Sequence, residues 1–397
     1  MPATVRAGVG LSLSLDTAEA AAQSAAGALA QAGLSRAEAA LCFATSAHSA
    51  RYPQMLRVVR EQAKTQNVVG CSARGVIGAG REVEGGAAVV TIVIGGNGVV
   101  AKRIFVPGLR EHSREVALRL AQAAQPLHPK TNLLVLFVDS YNANPAPLLT
   151  DLNAALPGVH IVGGGATEDG STGQTFQLCG DASSSDSVAA LLLSGDFGVD
   201  NAVSVAAQIL GKSHRVTAAQ GNFLLEMDGR PALEVFKEAI GPMAEDLRRA
   251  ASLVNICVGV DPKGARLERG CFLLRNIVGL NVEHEFLAVA HPLAPGDLVG
   301  FALREPGYAR EDLTATLEET EARHGGRHPA FGLYFDCVAR GMNLYRVPDH
   351  DVSYIHQALG SFPLAGFFTG FEIGPLAAAP QALQYAGVLT LVYESAD

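Results

Sequence analysis

One pattern recurs three times along the chain and constrains the fold more than any other feature. In each copy an apolar strand ends in a polar loop, a helix follows, and a second apolar strand runs into glycine. A unit of this kind is typical of a parallel crossover. The copies are ALCFATS (40–46), a helix near 53–64 and VVGCSARGVIG (68–78); LLVLFVDSYNANP (133–145), a helix near 146–155 and HIVGGGATEDG (160–170); and FGLYFDCVARG (331–341), a helix near 350–359 and LAGFFTGFEIG (364–374).

The ends of these strands are where a ligand site is expected. Open α/β sheets bind ligands at the carboxyl ends of their strands. We therefore expect the three glycine-ended strands, together with the loops DSYNAN and DCVARG, to face one region. Aligning Gly70 with Gly366 also aligns Gly78 with Gly374, so these glycines hold equivalent positions in the recurring unit.

Antiparallel pairing is expected as well. Three segments consist of two apolar runs separated by a turn, which is the pattern of a β-hairpin. The predicted fold is therefore α/β, with mixed parallel and antiparallel sheets covered by helices and with two related halves, an arrangement compatible with α-β-β-α layers. The hairpin segments are residues 87–106, 174–193 and 271–290.

Charge and hydropathy exclude several classes of protein. The net charge is −9 and no basic run occurs, whereas a nucleic-acid-binding face needs clustered lysine and arginine. No segment approaches 18 uninterrupted apolar residues, so no membrane span is predicted. The N-terminus is a poor signal peptide and the six cysteines are scattered, so we expect a cytoplasmic protein with reduced thiols.

No metal or cofactor is predicted. The cysteines form no CxxC pair, which argues against a zinc cluster of that kind. The run GGGATEDG (163–170) lacks the Lys-Ser/Thr of a phosphate-binding loop and the GxGxxG spacing of a dinucleotide site. His284 and His291 lie seven residues apart in a strand-rich segment, and this odd spacing places them on opposite faces.

Two lone charges in apolar surroundings are the main candidates for a binding site. Arg340 follows an apolar strand, and its guanidinium suits a ligand carboxylate; alternatively it forms a structural salt bridge with Glu372 or Asp336. Glu372 stands between Phe371 and Ile373, where it could receive a ligand ammonium, pair with arginine or accept backbone N–H bonds.

Other polar residues have a structural alternative. Cys337 and Cys71 end motif strands, but His48, His350 and His356 do not stand at a diagnostic spacing for an activating base, and free cysteine is commonly a small buried hydrophobe. The polar run after LLVLFV could line the site, although a helix cap before the next helix is favoured. The residues of that run are Asp139, Ser140, Asn142 and Asn144.

Several of these motifs resemble the FIST family (F-box and intracellular signal transduction). VVGCSARGVIG resembles the signature of its N domain, and the run from 216 to 241 resembles the junction with its C domain. FDCVARG and LAGFFTGFEIGP resemble the paired motifs that close the C domain. The resemblance spans roughly residues 30–392. It implies an N-terminal segment (1–29), a FIST N-like domain (30–220) and a FIST C-like domain (221–392).

The resemblance implies a sensory protein that binds a small ligand, with amino acids proposed, and whose signalling output either comes from a separate protein or does not exist. The family pattern has glutamate where Val76 stands here, so the carboxylate persists only as Glu372. A homo-oligomer is left open. Two alternatives remain: a hydrolase or transferase using Cys337, and a scaffold without ligand. The predicted ligand-binding residues are Arg340, Glu372, Cys337, Gly341, Gly366, Phe367, Phe368, Thr369, Cys71, Ser72 and Gly164.

Overall fold

The computed structural model describes residues 4–261, 264 and 266–395. It confirms an α/β fold with mixed sheets. The strands are β1 (Val5–Ser12), β2 (Ala39–Thr45), β3 (Val68–Ala73), β4 (Gly75–Gly78), β5 (Arg81–Glu84), β6 (Val89–Gly96), β7 (Val100–Pro107), β8 (Thr131–Asp139), β9 (His160–Ala166), β10 (Gln177–Cys179), β11 (Ala182–Ser184), β12 (Ser187–Gly195), β13 (Phe197–Val205), β14 (Gln208–Gln220), β15 (Phe223–Met227), β16 (Arg230–Pro231), β17 (Val254–Gly259), β18 (Phe272–Asn281), β19 (Phe286–Val289), β20 (Leu298–Leu303), β21 (Phe331–Cys337), β22 (Leu364–Thr369), β23 (Glu372–Leu376), β24 (Ala379–Leu383) and β25 (Ala386–Glu394). The helices are α1 (Thr17–Ala32), α2 (Tyr52–Ala63), α3 (Leu109–Ala123), α4 (Pro145–Ala155), α5 (Ala232–Ile240), α6 (Leu247–Leu253), α7 (Pro306–His324), α8 (Gly341–Leu344) and α9 (His350–Leu359), with 3-10 turns at Ser46–Arg51 and Gly241–Asp246.

Three six-stranded sheets have the same arrangement of parallel and antiparallel strands. They run β1-β6-β2-β3-β10-β11, β7-β12-β8-β9-β23-β24 and β13-β25-β21-β22-β4-β5. In each sheet the third and fourth strands are parallel, and all other neighbours are antiparallel. The parallel pairs β2–β3, β8–β9 and β21–β22 are joined by α2, α4 and α9. Each copy of the recurring sequence unit therefore forms the centre of one sheet.

Each unit donates its last strands to another unit. The hairpin β4–β5 follows β3 in the chain but pairs with β22 of the third sheet. The strands β10–β11 follow β9 but extend the first sheet, and β23–β24 follow β22 but extend the second. This exchange is cyclic, so removing any one unit would expose an unpaired strand edge on another.

The three sheets meet on a shared apolar core. The ring of Phe43 lies 5.4 Å from that of Phe137 and 5.0 Å from that of Phe367, and Phe335 lies 5.9 Å from Phe367. The outer face of each sheet is covered by two helices: α1 and α2, α3 and α4, and α7 and α9. Strands covered on both faces need apolar side chains at every position, which explains runs such as LLVLFV.

A glycine is required at one equivalent position of each unit. A Cβ on Gly70 would lie 1.7 Å from the carbonyl oxygen of Cys42, its partner on the neighbouring strand. On Gly163 it would lie 2.0 Å from the oxygen of Leu136, and on Gly366 it would lie 1.7 Å from that of Tyr334. These approaches explain why Gly70 and Gly366 align in the sequence.

The segment between β13 and α7 forms a fourth, antiparallel sheet with its own core. Its order is β14-β20-β17-β18-β19-β15-β16, and a further pairing between β14 and β15 closes the sheet on itself. Helices α5 and α6 pack against it. The sheet is inserted within the third unit, because β13 before it and β21 after it both belong to the third sheet.

Of the three predicted hairpins, only the segment 271–290 is one, as β18 pairs with β19. Two predictions were wrong. β6 pairs with β1 and β2 while β7 pairs with β12, and β10 pairs with β3 while β12 pairs with β7 and β8. β6 and β12 are buried almost throughout and lie inside their sheets, so each needs a partner strand on both sides. The segments that join β6 to β7 and β11 to β12 therefore lead from one sheet to another and do not form hairpin turns.

The described part of the chain contains neither a candidate membrane-spanning helix nor a candidate metal cluster. None of the helices in residues 4–261, 264 and 266–395 is both long enough and apolar enough to cross a membrane. Over the same residues, histidine, cysteine, aspartate and glutamate side chains do not gather in groups of three or more that could hold a metal ion.

Candidate functional site

A cleft of about 1160 Å³ opens where the parallel strands end. Arg74 follows β3, Thr167 follows β9 and Gly370 follows β22, while Ser140 follows β8 and Val338 follows β21. The carboxyl ends of five of the six parallel strands therefore reach one region, as the recurring unit predicts. The lining is completed by residues in or next to the helices α3 and α4, the turn between β14 and β15, the hairpin β18–β19 and the end of β24: Arg114, Asn144, Thr150, Asp151, Asn222, Arg275, His291, Ala382, Leu383 and Gln384 among them.

Thr167 ties the strand ends together at the base of this cleft. Its hydroxyl donates to the carbonyl oxygen of Phe368 (2.5 Å) and accepts from the backbone N–H of Arg74 (2.9 Å). Its carbonyl oxygen accepts from the hydroxyl of Ser72 (2.9 Å). One side chain thus connects the ends of β3, β9 and β22, and the predicted ligand contact Ser72 is itself a buried part of this connection.

Arg275 is the principal charge in the wall of the cleft. Its side chain is only 7% exposed, and it donates to the carbonyl oxygens of Leu274 (2.8 Å) and Ala382 (3.0 Å). Among the described residues it forms no ion pair with a carboxylate. Burial lowers its pKa to about 10, so the guanidinium remains charged at neutral pH. A buried cation of this kind favours an anionic ligand, since an unpaired buried charge is costly.

His291 lies beside Arg275 on the neighbouring strand end. The backbone N–H of Ala290 donates to the carbonyl oxygen of Asn276 (2.9 Å), which places the two side chains on one wall. Burial, and next the charge of Arg275, lower the pKa of His291. The imidazole is therefore neutral at neutral pH and can donate or accept a hydrogen bond in the cleft.

Arg340 lies away from the cleft and is completely buried. Its Nε is 2.8 Å from Oδ1 of Asp336, and its Nη2 is 2.7 Å from Oδ2 of Asp351. Asp351 also accepts the hydroxyl of Tyr334 (2.8 Å). Of the salt-bridge partners considered from the sequence, the structure contains Asp336 and not Glu372, and it adds Asp351, which sequence reasoning missed.

Glu372 is also completely buried, in contact with a hydroxyl instead of a cation. Its Oε1 lies 2.6 Å from Oγ1 of Thr369, and its Oε2 accepts the N–H of Ala386 (3.1 Å). Burial raises its pKa to about 8. The geometry fits a protonated carboxyl: Thr369 has one proton, and Oγ1 also lies 3.0 Å from the carbonyl oxygen of Asp336, so it can donate there while Glu372 donates to it.

The remaining predicted residues form a buried layer beneath the cleft. Gly164 lies directly opposite Glu372 in the pairing of β9 with β23, so these two predicted residues do meet. Cys337 is 4% exposed, and burial raises the pKa of its thiol well above the usual value. None of the eleven predicted residues lines the cleft; those not yet placed lie in the core or under neighbouring loops, namely Cys71, Gly341, Gly366, Phe367 and Phe368.

Sequence signals for the residues that do line the cleft were present. Arg275 is a lone charge inside the apolar run CFLLRNIVGL, the same signal that singled out Glu372. From the loop DSYNAN, Ser140 and Asn144 line the cleft, whereas Asp139 is fully buried and accepts the N–H of Tyr141 (2.9 Å). The favoured cap does not form, because Asn144 precedes α4 without a side-chain hydrogen bond to it.

A second buried polar cluster surrounds Arg340. The guanidinium contacts the carboxyl groups of Asp336 and Asp351, and the carboxyl of Glu82 lies close enough to both aspartates to interact with them electrostatically. Burial, and next the charge of Asp351, raise the pKa of Glu82 to about 8 and that of Asp336 well above its usual value. Against the effect of burial, Arg340 and hydrogen bonds lower the pKa of Asp351 to about 2. Of the three acids, Asp351 is therefore the one most strongly held in its ionised form beside Arg340, whereas burial favours the protonated form of Glu82 and Asp336.

Comparison with known proteins identifies the family. Residues 38–230 match the FIST N domain and residues 232–375 match the FIST C domain. Uncharacterized proteins from two Mycobacterium tuberculosis strains, CDC 1551 / Oshkosh and ATCC 25618 / H37Rv, are each 30% identical over 376 residues, which cover 94% of this chain and 96% of theirs. An uncharacterized protein from Mycobacterium bovis is equally similar, with 95% of its length covered.

A solved structure of cyanuric acid hydrolase from A. caulinodans aligns with 48% of this chain and 71% of its own, at a TM-score of 0.26 and 8% identity. A likeness at this level carries no argument about fold or function. FIST domains are associated with signal transduction and small-ligand sensing. The two domain matches cover most of the sequence, and the relatives are similar to this chain over nearly their whole length. The chain therefore belongs to the FIST family.

Proposed function

We propose that this protein is a sensory protein that binds a small anionic ligand in the cleft at the strand ends. The observation that carries the proposal is Arg275, a charged guanidinium with 7% of its side chain exposed, without a carboxylate partner among the described residues, in the wall of that cleft. Ligand sites are typically concave, with apolar walls and a few convergent polar groups. Phe371, Val338 and Leu383 supply such apolar wall here.

A carboxylate of the ligand would form the ion pair that Arg275 does not form with any described carboxylate of the protein. A guanidinium binds a carboxylate through two parallel hydrogen bonds, and such charge-assisted bonds are stronger than neutral ones. The backbone carbonyls of Leu274 and Ala382 fix the orientation of the guanidinium before any ligand arrives. An amino acid is the ligand that the family resemblance implies. Its ammonium could donate to Oε1 of Gln384, a buried atom that accepts no hydrogen bond within the described residues.

The residues predicted from the sequence would support this site from below. Ala382, whose carbonyl holds Arg275, pairs with Ile373 on the hairpin β23–β24, and Leu383 pairs with Glu372. Glu372, Thr369 and Gly164 in turn anchor that hairpin to the second and third sheets. In the proposed site Glu372 therefore positions the wall that carries Arg275 and does not itself contact the ligand.

We place this function in the cytoplasm, with a separate protein as the output of the signal. All six cysteines are free and five of them are buried, which suits a reducing compartment. The ligand cleft lies between the inserted sheet, which carries Arg275, and the strand ends of the three units. A ligand that bridges the two would fix their relative position, and that change is what an output protein would read.

A thermal-shift titration tests the proposal. The twenty amino acids and a set of simple carboxylates are each added to the wild-type chain and to Arg275→Met. We expect at least one of them to raise the melting temperature of the wild type in a concentration-dependent way and to leave Arg275→Met unchanged, because a ligand that binds only the native state stabilises it. Arg248→Met is the control. Arg248 is exposed on α6, which packs against the same inserted sheet, and it lies outside the cleft.

The absence of stabilisation by any of these compounds would contradict the proposal and favour a scaffold without ligand. Stabilisation that persists in Arg275→Met would place the ligand elsewhere. The variant itself is expected to fold, because replacing a buried charge that has no ion-pair partner by an apolar side chain of similar length removes a desolvation cost.

A further inference from the structure

The lining of the cleft has an excess of positive charge that contrasts with the rest of the chain. The whole sequence carries 30 lysines and arginines against 39 acids. The cleft is lined by three arginines, Arg74, Arg114 and Arg275, and by two carboxylates, Asp151 and Glu168. Cationic residues gathered in a concave site raise the local concentration of anions even when the net charge of the protein is negative.

One of the two carboxylates is already occupied. Oε1 of Glu168 accepts the hydroxyl of Tyr141 (2.7 Å), and Oε2 accepts the backbone N–H groups of Gly170 (2.7 Å) and Thr172 (3.1 Å). These bonds outweigh partial burial and lower the pKa of Glu168. The oxygens of Glu168 therefore hold its own loop together, and the ionised carboxylate reduces the positive charge of the lining without forming an ion pair with the three arginines among the described residues.

The arginines lie at two depths. Arg275 is buried, whereas Arg74 and Arg114 are exposed at the end of β3 and on α3. The side chains of Arg74 and Arg114 form no hydrogen bond or ion pair with other described residues. The cleft thus presents one buried guanidinium in its wall and two exposed ones, of which Arg74 also acts through its charge on the carboxyl of Glu84.

The size of the cleft exceeds what a single zwitterion fills. Its volume is about 1160 Å³, whereas small-molecule sites usually measure about 300–1,000 Å³. A ligand that reaches both Arg275 and the exposed arginines needs an anionic group at each end.

We propose, on the basis of the proposed function, that the ligand is an organic anion with two separated anionic groups, one bound by Arg275 and the other by Arg74 and Arg114. Dicarboxylates and phosphorylated small molecules share this chemistry. In both cases the planar guanidinium binds two oxygens of one group. The inner group fixes the ligand, and the outer group selects acidic ligands over neutral ones.

Isothermal titration with matched probes tests the charge requirement. Aspartate and glutamate are compared with asparagine and glutamine, and phosphoserine is compared with serine. The members of each pair have a common amino-acid backbone and differ in the outer anionic group. We expect the acidic member to bind about 2- to 5-fold more tightly, the size of one exposed ion pair. The pair with the larger preference identifies the outer group as carboxylate or phosphate.

Variants assign the preference to its residues. Arg74→Gln and Arg114→Gln should each reduce the acidic preference and leave the affinity for asparagine, glutamine and serine unchanged. Arg119→Gln is the matched control, because Arg119 is exposed on the same helix as Arg114 but does not line the cleft. It should bind every probe as the wild type does.

The possible outcomes separate this inference from the proposed function. Equal affinity for both members of every pair, lost in Arg275→Met, would overturn the second anionic group and leave the proposed site standing. A preference that survives in Arg74→Gln and Arg114→Gln would overturn the assignment to these residues. Binding of none of the probes would overturn this inference, and if the broader amino-acid and carboxylate screen also failed, the proposed function with it.

Discussion

Nη2 of Arg340 lies 2.7 Å from Oδ2 of Asp351, and neither side chain has any exposed surface. The pair joins the end of β21 to the first turn of α9. Breaking it by removing one partner should be more costly than removing both, because the surviving buried charge would lose its closest opposite charge. We therefore expect the pair to stabilise the fold. This structural role accounts for Arg340 in the motif FDCVARG at least as well as a ligand contact would.

We expect Arg340→Met to lose about 3–5 kcal/mol of unfolding free energy, since it leaves Asp351 without its guanidinium partner and with only the imidazole of His350 and the hydroxyl of Tyr334 beside it. The double variant Arg340→Met/Asp351→Asn should recover part of this loss because both charges are absent. Urea denaturation measures the difference. Arg310→Met, at an exposed position of α7, is the control and should change stability by less than about 0.5 kcal/mol. A loss below about 1 kcal/mol for Arg340→Met would contradict the structural role.

Glu82 links the donated hairpin β4–β5 to the same cluster. Its Oε1 accepts the N–H of Val352 in the first turn of α9 (2.9 Å), and its own N–H donates to Oδ1 of Asp349 (2.6 Å). The acids that face it are Asp351, Glu84 and Asp349. Ionisation of Glu82 would therefore place an additional negative charge among carboxylates and weaken the attachment of the hairpin to the third sheet.

This attachment predicts a pH dependence with a definite sign. The pKa of Glu82 is raised to about 8 in the folded chain, mainly by burial. The native state thus binds the proton more tightly than the unfolded state, and stability falls as the pH rises from about 4.5 to about 8, by at most about 1.4 kcal/mol per pH unit for this group. Denaturation curves at several pH values should show a shallower slope for Glu82→Gln. An unchanged slope would contradict the prediction.

Glu372 contributes to the same window, because its pKa is also raised to about 8 by burial. Glu372→Gln should therefore flatten the slope as well, and the double variant with Glu82→Gln should flatten it further. The carboxyl of Asp351 has the opposite pH dependence. Its pKa is lowered in the folded chain, so its contribution to stability is present above its unfolded pKa and is lost only as the pH falls toward about 2.

The recurring unit could be found from the sequence because local features define it. Apolar strands, helix starts and the glycine that permits close approach to a neighbouring carbonyl all lie within about forty residues of each other. The partners of the donated strands could not be found in this way. Gly366 pairs with Ile77 across nearly three hundred residues, and strands buried on both faces have no polar alternation from which a register can be inferred.

The candidate site was predictable only in part for a similar reason. A lone charge in an apolar run must find a partner, so Arg340 and Glu372 were correctly singled out as unusual. The identity of the partner depends on elements that meet only after folding. Asp351 comes from α9, 11 residues beyond Arg340, whereas Thr369 stands only 3 residues before Glu372 and meets it across the turn between β22 and β23. Arg275 carried the same signal without an aligned copy in the other units, and it lines the cleft whereas Arg340 does not.

Gly366→Ala should be strongly destabilising. The added Cβ would lie 1.7 Å from the carbonyl oxygen of Tyr334, so the parallel pair β21–β22 would have to separate. Forced overpacking typically costs about 1–3 kcal/mol, and a clash with backbone should reach or exceed the upper end. Gly27→Ala, inside α1 with 3.6 Å to its nearest neighbour, should instead be neutral or stabilising by up to about 1 kcal/mol. Thermal denaturation of the two variants provides the comparison, and similar melting temperatures would contradict it.

Thiol labelling tests whether Cys337 has the reactivity that a nucleophile needs. Burial raises its pKa well above the usual value, so the thiolate that reacts with iodoacetamide is scarce at neutral pH. Cys271 is the exposed cysteine of the six. Mass spectrometry of the native protein after brief exposure should show label on Cys271 and almost none on Cys337, and Cys271→Ser should abolish the rapid phase. Denaturant should expose the other thiols to the reagent. Fast labelling of Cys337 in the native state would overturn this assignment and support a Cys-dependent enzyme, because a reactive thiolate at a strand end would need both an access path and a charge partner that its present surroundings do not supply.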